Sequence, residues 1–449
     1  MEEQSAAQDH GGTIRGDARR TIAVATPLYL SMIALSIGAL VNTAVLGRFG
    51  TADLAAFALV GAVYIPANAA VSGAVRGVMP FVSASAGNPS RVMQVVRDGT
   101  WLAILVGLLG ATSVAGVGRL ARFAGVPAVT IDRLGYYPWM MAGAVLLASI
   151  GSMASSSLVG LGRNAVVMRV GIVSAAATAG VALVLVNGLG PVPAMGLTGS
   201  GLAVVAANAI TCLSSLVGLS RSLSTSLRSF AGRLDLGRVV ELAKVGVPMA
   251  GTVLVKFGVL GVLAFAAARI SAPAAAAHSI ATSLGGLTFI VAIAVGQAGI
   301  PLISGRAATG DTAGVRSAVR SGLLVSGIAL SVLCALLWVL SPVYLPSFTD
   351  DPAVISIMMG LLPVVALSIL GDGLQAVVGF GLTGLKRTVP SFMVFAALYG
   401  LLALVAVPLA AAAGVIGLWA ALAVVNLLVF LGQGAAFLRV IEGLRHHPR

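Results

Sequence analysis

Charge is scarce in this chain, and acids are the scarcest part of it. Charged residues make up 9% of the sequence, with 14 Asp and Glu in 449 residues, against 58% hydrophobic residues and a mean hydropathy of +1.04. So little charge cannot keep a chain of this length in water, which excludes a soluble protein and leaves a polytopic membrane protein. There are two cysteines, Cys212 and Cys334; they match no metal or disulfide spacing and read as small core hydrophobes. Enzyme signatures are missing too: no Walker loop, HExxH, GxSxG or paired Cys and His ligands occur. The glycines of GLTGSG, Gly196 to Gly201, have no strand before them that would make a nucleotide loop. The chain is therefore read as not an enzyme, with no cofactor and no metal, and ATP-driven pumping by the chain itself is disfavoured. Any active transport must draw on an ion gradient.

What the sequence does have is apolar runs of bilayer length. Twelve can be marked, at 24–46, 54–79, 99–118, 135–158, 166–187, 194–219, 246–268, 274–302, 321–342, 354–380, 391–412 and 415–438, near the ~20 residues needed to cross a hydrocarbon core. They lack the two-residue alternation of a membrane barrel strand, so the expected fold class is all-α integral membrane. The net charge of +13 would fit nucleic acid, but the cations sit in short loops. With the N-terminus inside, 20 of the 27 Lys and Arg fall on the inner side and five on the outer: Arg48, Arg119, Arg122, Arg133 and Arg269. This positive-inside bias predicts a multi-pass protein of the inner membrane with both termini cytoplasmic and the bilayer, not nucleic acid, as partner. Residues 1–20 lack an apolar region and a cleavage site, so they read as a cytoplasmic tail.

The first half repeats in the second. At an offset of 221, Pro27 falls on Pro248, Arg48 on Arg269 and Pro80 on Pro301; at 225, Pro127-Ala128-Val129 falls on Pro352-Ala353-Val354. Six spans per copy is even, so the copies share one orientation, as in transporters built from parallel repeats. The expected organisation is a tail at 1–20, an N-lobe at 21–219, a basic and partly helical linker at 220–238, a C-lobe at 239–440 and a tail at 441–449. Two six-helix lobes related by a pseudo-two-fold axis around a central cleft follow. Proline inside spans reads as tolerated kinks, and as hinges where the repeat pairs it, at Pro27 with Pro248 and Pro80 with Pro301.

Three charges have no place in a loop. Lys256 lies near the middle of span 7, in GVPMAGTVLVKFGVLGVLAFAAARIS, and Asp372 near the middle of span 10, in SILGDGLQAVVGFGLTGLKRT. Arg76 lies nearer the cytoplasmic end of span 2, where snorkelling and a cavity role are both open. A central charge costs roughly 2.5–3.5 kcal/mol even on the lenient insertion scale, so Lys256 and Asp372, in one lobe, are expected to pair. Two readings stay open: a clasp between spans 7 and 10, or a titratable coupling site. Gln375 shares the helix face of Asp372 three residues on. Asn42, Asn68, Asn208, Gln297 and Asn426 are intramembrane amides that serve either interhelical hydrogen bonds or a ligand. His278, after four alanines, either packs or titrates. The candidate cavity residues are Asn42, Arg76, His278, Gln297 and Gln375.

Together, ATPLYLSMIALSIGALVNTAVLGRFGTADLAA, VPMAGTVLVKFGVLGVLAFAAARISAPAAAAHSIA, GDGLQAVVGFGLTGLKRTVPSF and GVIGLWAAL resemble the multidrug and toxic compound extrusion (MATE) family, over about Thr21 to Val440. The resemblance implies two six-helix lobes, alternating access, and export of amphipathic, often cationic, compounds in exchange for protons or sodium ions; a drug-like or secondary-metabolite substrate and a monomer are expected. The helix 10 acid of the NorM-like branch is retained as Asp372, whereas its helix 7 acid aligns with Lys256, a reversal of sign. Asn42 stands where proton-coupled bacterial members have an aspartate, and their helix 5 partners align with Thr178 and Ala182. Sodium coupling is thereby disfavoured, leaving proton coupling through Asp372 with Lys256 as its partner, and neutral or anionic substrates gain over multivalent cations. The rival readings are a flippase for lipid-linked precursors and a non-transporting membrane scaffold or sensor.

Overall fold

The computed structural model describes residues 14–188, 191–230 and 232–446; residues 1–13 and 447–449 of the two expected tails lie outside them. Every regular element among the described residues is a helix. The long ones are α1 (Ile14–Phe49), α2 (Thr51–Arg76), α3 (Pro89–Ala115), α4 (Tyr137–Gly160), α5 (Asn164–Asn187), α6 (Gly196–Ser222), α7 (Leu236–Ile270), α8 (Ala272–Ala308), α9 (Thr312–Val339), α10 (Pro352–Gly384) and α11 (Thr388–His446). All eleven are long and apolar enough to cross a membrane. In lipid the helix satisfies every backbone group internally, which is why near-continuous apolar runs adopt it.

Local chemistry starts several of these helices. The side chains of Asn88, Ser271, Asp311 and Asp351 accept from backbone N–H groups in the first turns of α3, α8, α9 and α10, and proline opens the first turn of α3, α8 and α10. The expected spans 391–412 and 415–438 share α11, a run of 59 residues broken at Gly414 (φ 63°, ψ −163°). Unbroken, it would measure about 88 Å, some three times the hydrocarbon core. That φ/ψ region is essentially restricted to glycine, so Gly414→Ala is expected to cost about 1–3 kcal/mol, read as a lowered Tm in detergent.

Packing divides the chain into two compact units, one of Pro27–Leu254 and one of Met1–Thr26 with Val255–Arg449. The boundaries fall inside α1 and α7, unlike the lobe limits of 21–219 and 239–440 expected from hydropathy. The first turns of α1 are tied to the C-terminal unit by polar contacts. Buried Asp17 receives both terminal nitrogens of Arg306 and the Ser317 hydroxyl, at 2.5–2.7 Å. Ser321 donates to the Ile14 carbonyl at 3.0 Å.

The start of α7 belongs instead to the other unit, where Val239, Leu242 and Val245 join a core with Val78, Phe81, Leu219 and Phe230. There α7 meets α2 backbone to backbone. A Cβ at Gly246 would overlap the Ala74 carbonyl, and one at Gly77 would approach the Gly246 Cα to 2.8 Å. Gly246→Val is therefore expected to cost about 1–3 kcal/mol or more through overpacking, seen as loss of monodisperse protein on gel filtration. Within 220–238, where a partly helical linker is expected, α6 ends at Ser222 and a single 3-10 turn, Leu227–Phe230, precedes α7. The segment is held by Phe230 in the core and by bonds from Arg97 Nε to the Ser229 carbonyl (2.7 Å) and from Trp101 Nε1 to the Gly232 carbonyl (3.0 Å).

The C-terminal unit has its main core around Leu263, Met358, Phe395, Tyr399, Leu418 and Val429, with α10 packed against α8, α9 and α11. This position gives α10 little freedom to move a side chain away from its neighbours. A charge on it must find its partner locally.

Candidate functional site

Asp372 lies on α10 and Lys256 on α7, and the two meet. Lys256 Nζ donates to both carboxylate oxygens, at 2.9 Å to Oδ1 and 2.6 Å to Oδ2. One helical turn along, Gln375 Nε2 donates to Oδ1 at 3.0 Å, as the three-residue spacing requires. The ring of Phe289, on α8, lies under the ammonium, 3.5 Å from Nζ to the ring centroid, a cation–π contact that compensates desolvation of the charge. The side chains of Lys256 and Asp372 remain 21% and 16% exposed, so the pair is sheltered but reachable. Three of the predicted residues are thus joined, together with a fourth, Phe289, that nothing in its stretch GGLTFIVAIA singled out.

This arrangement holds one proton-accepting group against one fixed cation. With the carboxylate ionised the pair is neutral and the ammonium is fully engaged. Protonation removes the attraction, leaves one positive charge, and frees Lys256 to seek other partners. Among the described residues no group of three or more His, Cys, Asp or Glu is placed to hold a metal ion.

The other candidates lie elsewhere. His278 is buried on α8 with its ring against Trp419, at 5.8 Å between centroids, and Thr282 Oγ1 within 3.4 Å of Nε2. Gln297 is buried on the same helix. Asn42 and Arg76 belong to the Pro27–Leu254 unit. Asn42 is 2% exposed, and its Oδ1 has no hydrogen-bond partner among the described residues; Arg76 is the last residue of α2. Pro27 and Pro248 lie inside α1 and α7.

Two amides have bonds that account for them structurally. Asn426 accepts from the Tyr399 hydroxyl at 2.6 Å and donates to the Ser368 carbonyl and hydroxyl at 3.1 Å, knitting α10 to both arms of α11. Asn208 Nδ2 donates to the Val204 carbonyl of its own helix. At the helix 5 positions Thr178 donates to the Ser174 carbonyl at 2.8 Å, and Ala182 is buried. Neither side chain can carry a proton on and off.

Comparison with known proteins agrees with this architecture. The MatE family model matches residues 248–409, which contain both members of the ion pair. The chain is 27% identical over 379 residues to a probable multidrug resistance protein NorM of Aromatoleum aromaticum, covering 82% of this chain and 79% of that one. It is 27% identical over 384 residues to a protein of the same description in Bradyrhizobium diazoefficiens, covering 82% and 81%. Among solved structures it resembles an outward-facing multidrug resistance MATE family transporter of the MOP superfamily, with TM-score 0.86, 14% identity and coverage of 96% and 97%. It also resembles a MOP superfamily transporter from Pyrococcus furiosus, described as having a binding pocket of reversed polarity that suggests a different function, with TM-score 0.85, 14% identity and the same coverage. In sequence over most of its length and in fold, the chain is therefore similar to MATE family transporters.

Proposed function

We propose that this protein exports amphipathic drug-like or secondary-metabolite compounds across the inner membrane, as a monomer with both termini cytoplasmic, in exchange for protons taken up at Asp372. The observation that carries the reading is the bidentate ion pair between Asp372 and Lys256 on the membrane helices α10 and α7. Its relatives' description as probable multidrug resistance proteins supplies the substrate class.

Coupling follows from the sign of the charges. Substrate binds while the pair is closed. A proton arriving from outside neutralises Asp372, frees the Lys256 ammonium, and lets it take polar groups that the substrate was using; the substrate leaves. Binding and protonation oppose each other, which an antiporter requires, and by linkage each weakens the other equally. An anionic substrate would be held by a freed lysine and not expelled, so the mechanism favours uncharged compounds. Sodium has no role here, because the ammonium already fills the position where a cation would meet the carboxylate. Pro27 and Pro248 serve as hinges, a role supported by the unit boundaries at Thr26/Pro27 and Leu254/Val255.

Proteoliposomes carrying either a proton or a sodium gradient test this with a panel of cationic, neutral and anionic compounds. Uphill export of neutral amphiphiles under a proton gradient alone is expected. A requirement for sodium, or movement of nothing in the panel with binding intact, would overturn the reading.

A further inference from the structure

We propose that the cleft between α5 and α6 binds the phosphodiester headgroup of an anionic phospholipid from the cytoplasmic leaflet. The cleft has a volume of about 590 Å³ and takes Arg163, Arg169, Arg221, Ser214, Leu213 and Val217 among its lining residues, with no acid. No hydrogen bond or ion pair within bonding distance engages the three arginine side chains among the described residues, and all three are exposed. Three guanidinium groups gathered around one cleft without counter-charge present a cluster that an external anion complements. The planar fork of arginine suits phosphate oxygens, to which it donates two parallel bonds.

The depth of the cleft selects a lipid over a soluble anion. Arg163 precedes the first residue of α5, and Arg221 lies next to the last residue of α6, both at the ends that the cation bias assigns to the cytoplasm. Arg169 lies about 8 Å into α5, and Leu213 about 14 Å in from the end of α6. Basic groups therefore occupy headgroup depth while apolar ones continue inward. Leu213, Val217 and Arg221 follow at intervals of four and share one helix face. Leu213 is 61% exposed, so the apolar part of the cleft stays open to acyl chains beyond the arginines. A cleft that is basic at interfacial depth and apolar beneath it is the complement of an anionic lipid.

The test uses the purified full-length protein in detergent, titrated with phosphatidylglycerol or phosphatidylcholine and read by native mass spectrometry. Phosphatidylglycerol is expected to bind and phosphatidylcholine to bind weakly. Replacing Arg163, Arg169 and Arg221 together by Gln should weaken phosphatidylglycerol binding roughly tenfold or more. The same replacement of Arg48, Arg119 and Arg122, on the opposite side, should leave it unchanged. Ser214→Trp, which fills the cleft and keeps every charge, should also weaken it and guards against misfolding of the triple variant. Unchanged affinity in both cleft variants would overturn the proposal. Equal competition by inorganic phosphate would overturn it as well, by showing a site for the free anion.

Discussion

Asp372→Asn is expected to abolish uphill export driven by a proton gradient. Asparagine keeps the shape of the carboxylate and can accept from Gln375, but it carries no charge and cannot take up a proton. It therefore imitates the protonated acid, with Lys256 released. Substrate affinity should fall by roughly 5- to 150-fold, the range of ordinary coupling free energies, and should no longer vary with pH. The wild-type protein should bind more tightly at high pH than at low pH. Flux into proteoliposomes and equilibrium binding in detergent measure the two halves of this result separately. Uphill export that survives the substitution would reduce the pair to a clasp between α7 and α10 and move the search for the coupling group to His278.

The second large effect is on stability, and it separates the pair from its parts. Lys256→Met leaves a carboxylate inside the membrane with one hydrogen-bond donor, Gln375, in place of two. Breaking a buried pair from one side costs about 3–5 kcal/mol, whereas replacing both partners by neutral groups is often tolerated. Lys256→Met alone should therefore lower the Tm strongly at neutral pH and less in acid, where the orphaned acid protonates. Lys256→Met combined with Asp372→Asn should recover most of the loss while remaining unable to couple transport to protons. A double variant as unstable as the worse single variant would show that the surrounding packing, not the charge balance, sets the cost.

Much of this was legible in the sequence, for identifiable reasons. A membrane protein with few acids betrays the one that does not belong in a loop, and Asp372 had one intramembrane base in its own half to pair with. Spans marked at 391–412 and 415–438 leave a gap that contains Gly414, the residue at which α11 breaks. Other features had no local signal. Asp17 sits among the polar residues of the N-terminal segment, yet it is buried against Arg306, 289 residues away. Its partner is visible only in three dimensions. Phe289 looks like any other aromatic in an apolar run until the Lys256 ammonium is found over its face. The amides divide the same way: type and depth mark Asn42 and Asn426 alike, but only the fold shows that Asn426 is fully bonded and that Asn42 is not.

Counting protons tests the central claim most directly. Purified protein in weakly buffered detergent, with a pH indicator, is mixed with an exported neutral compound across a pH series. Release of protons on binding is predicted from the wild type, and none is predicted from Asp372→Asn. Proton uptake on binding, or the same release from Asp372→Asn, would contradict the account.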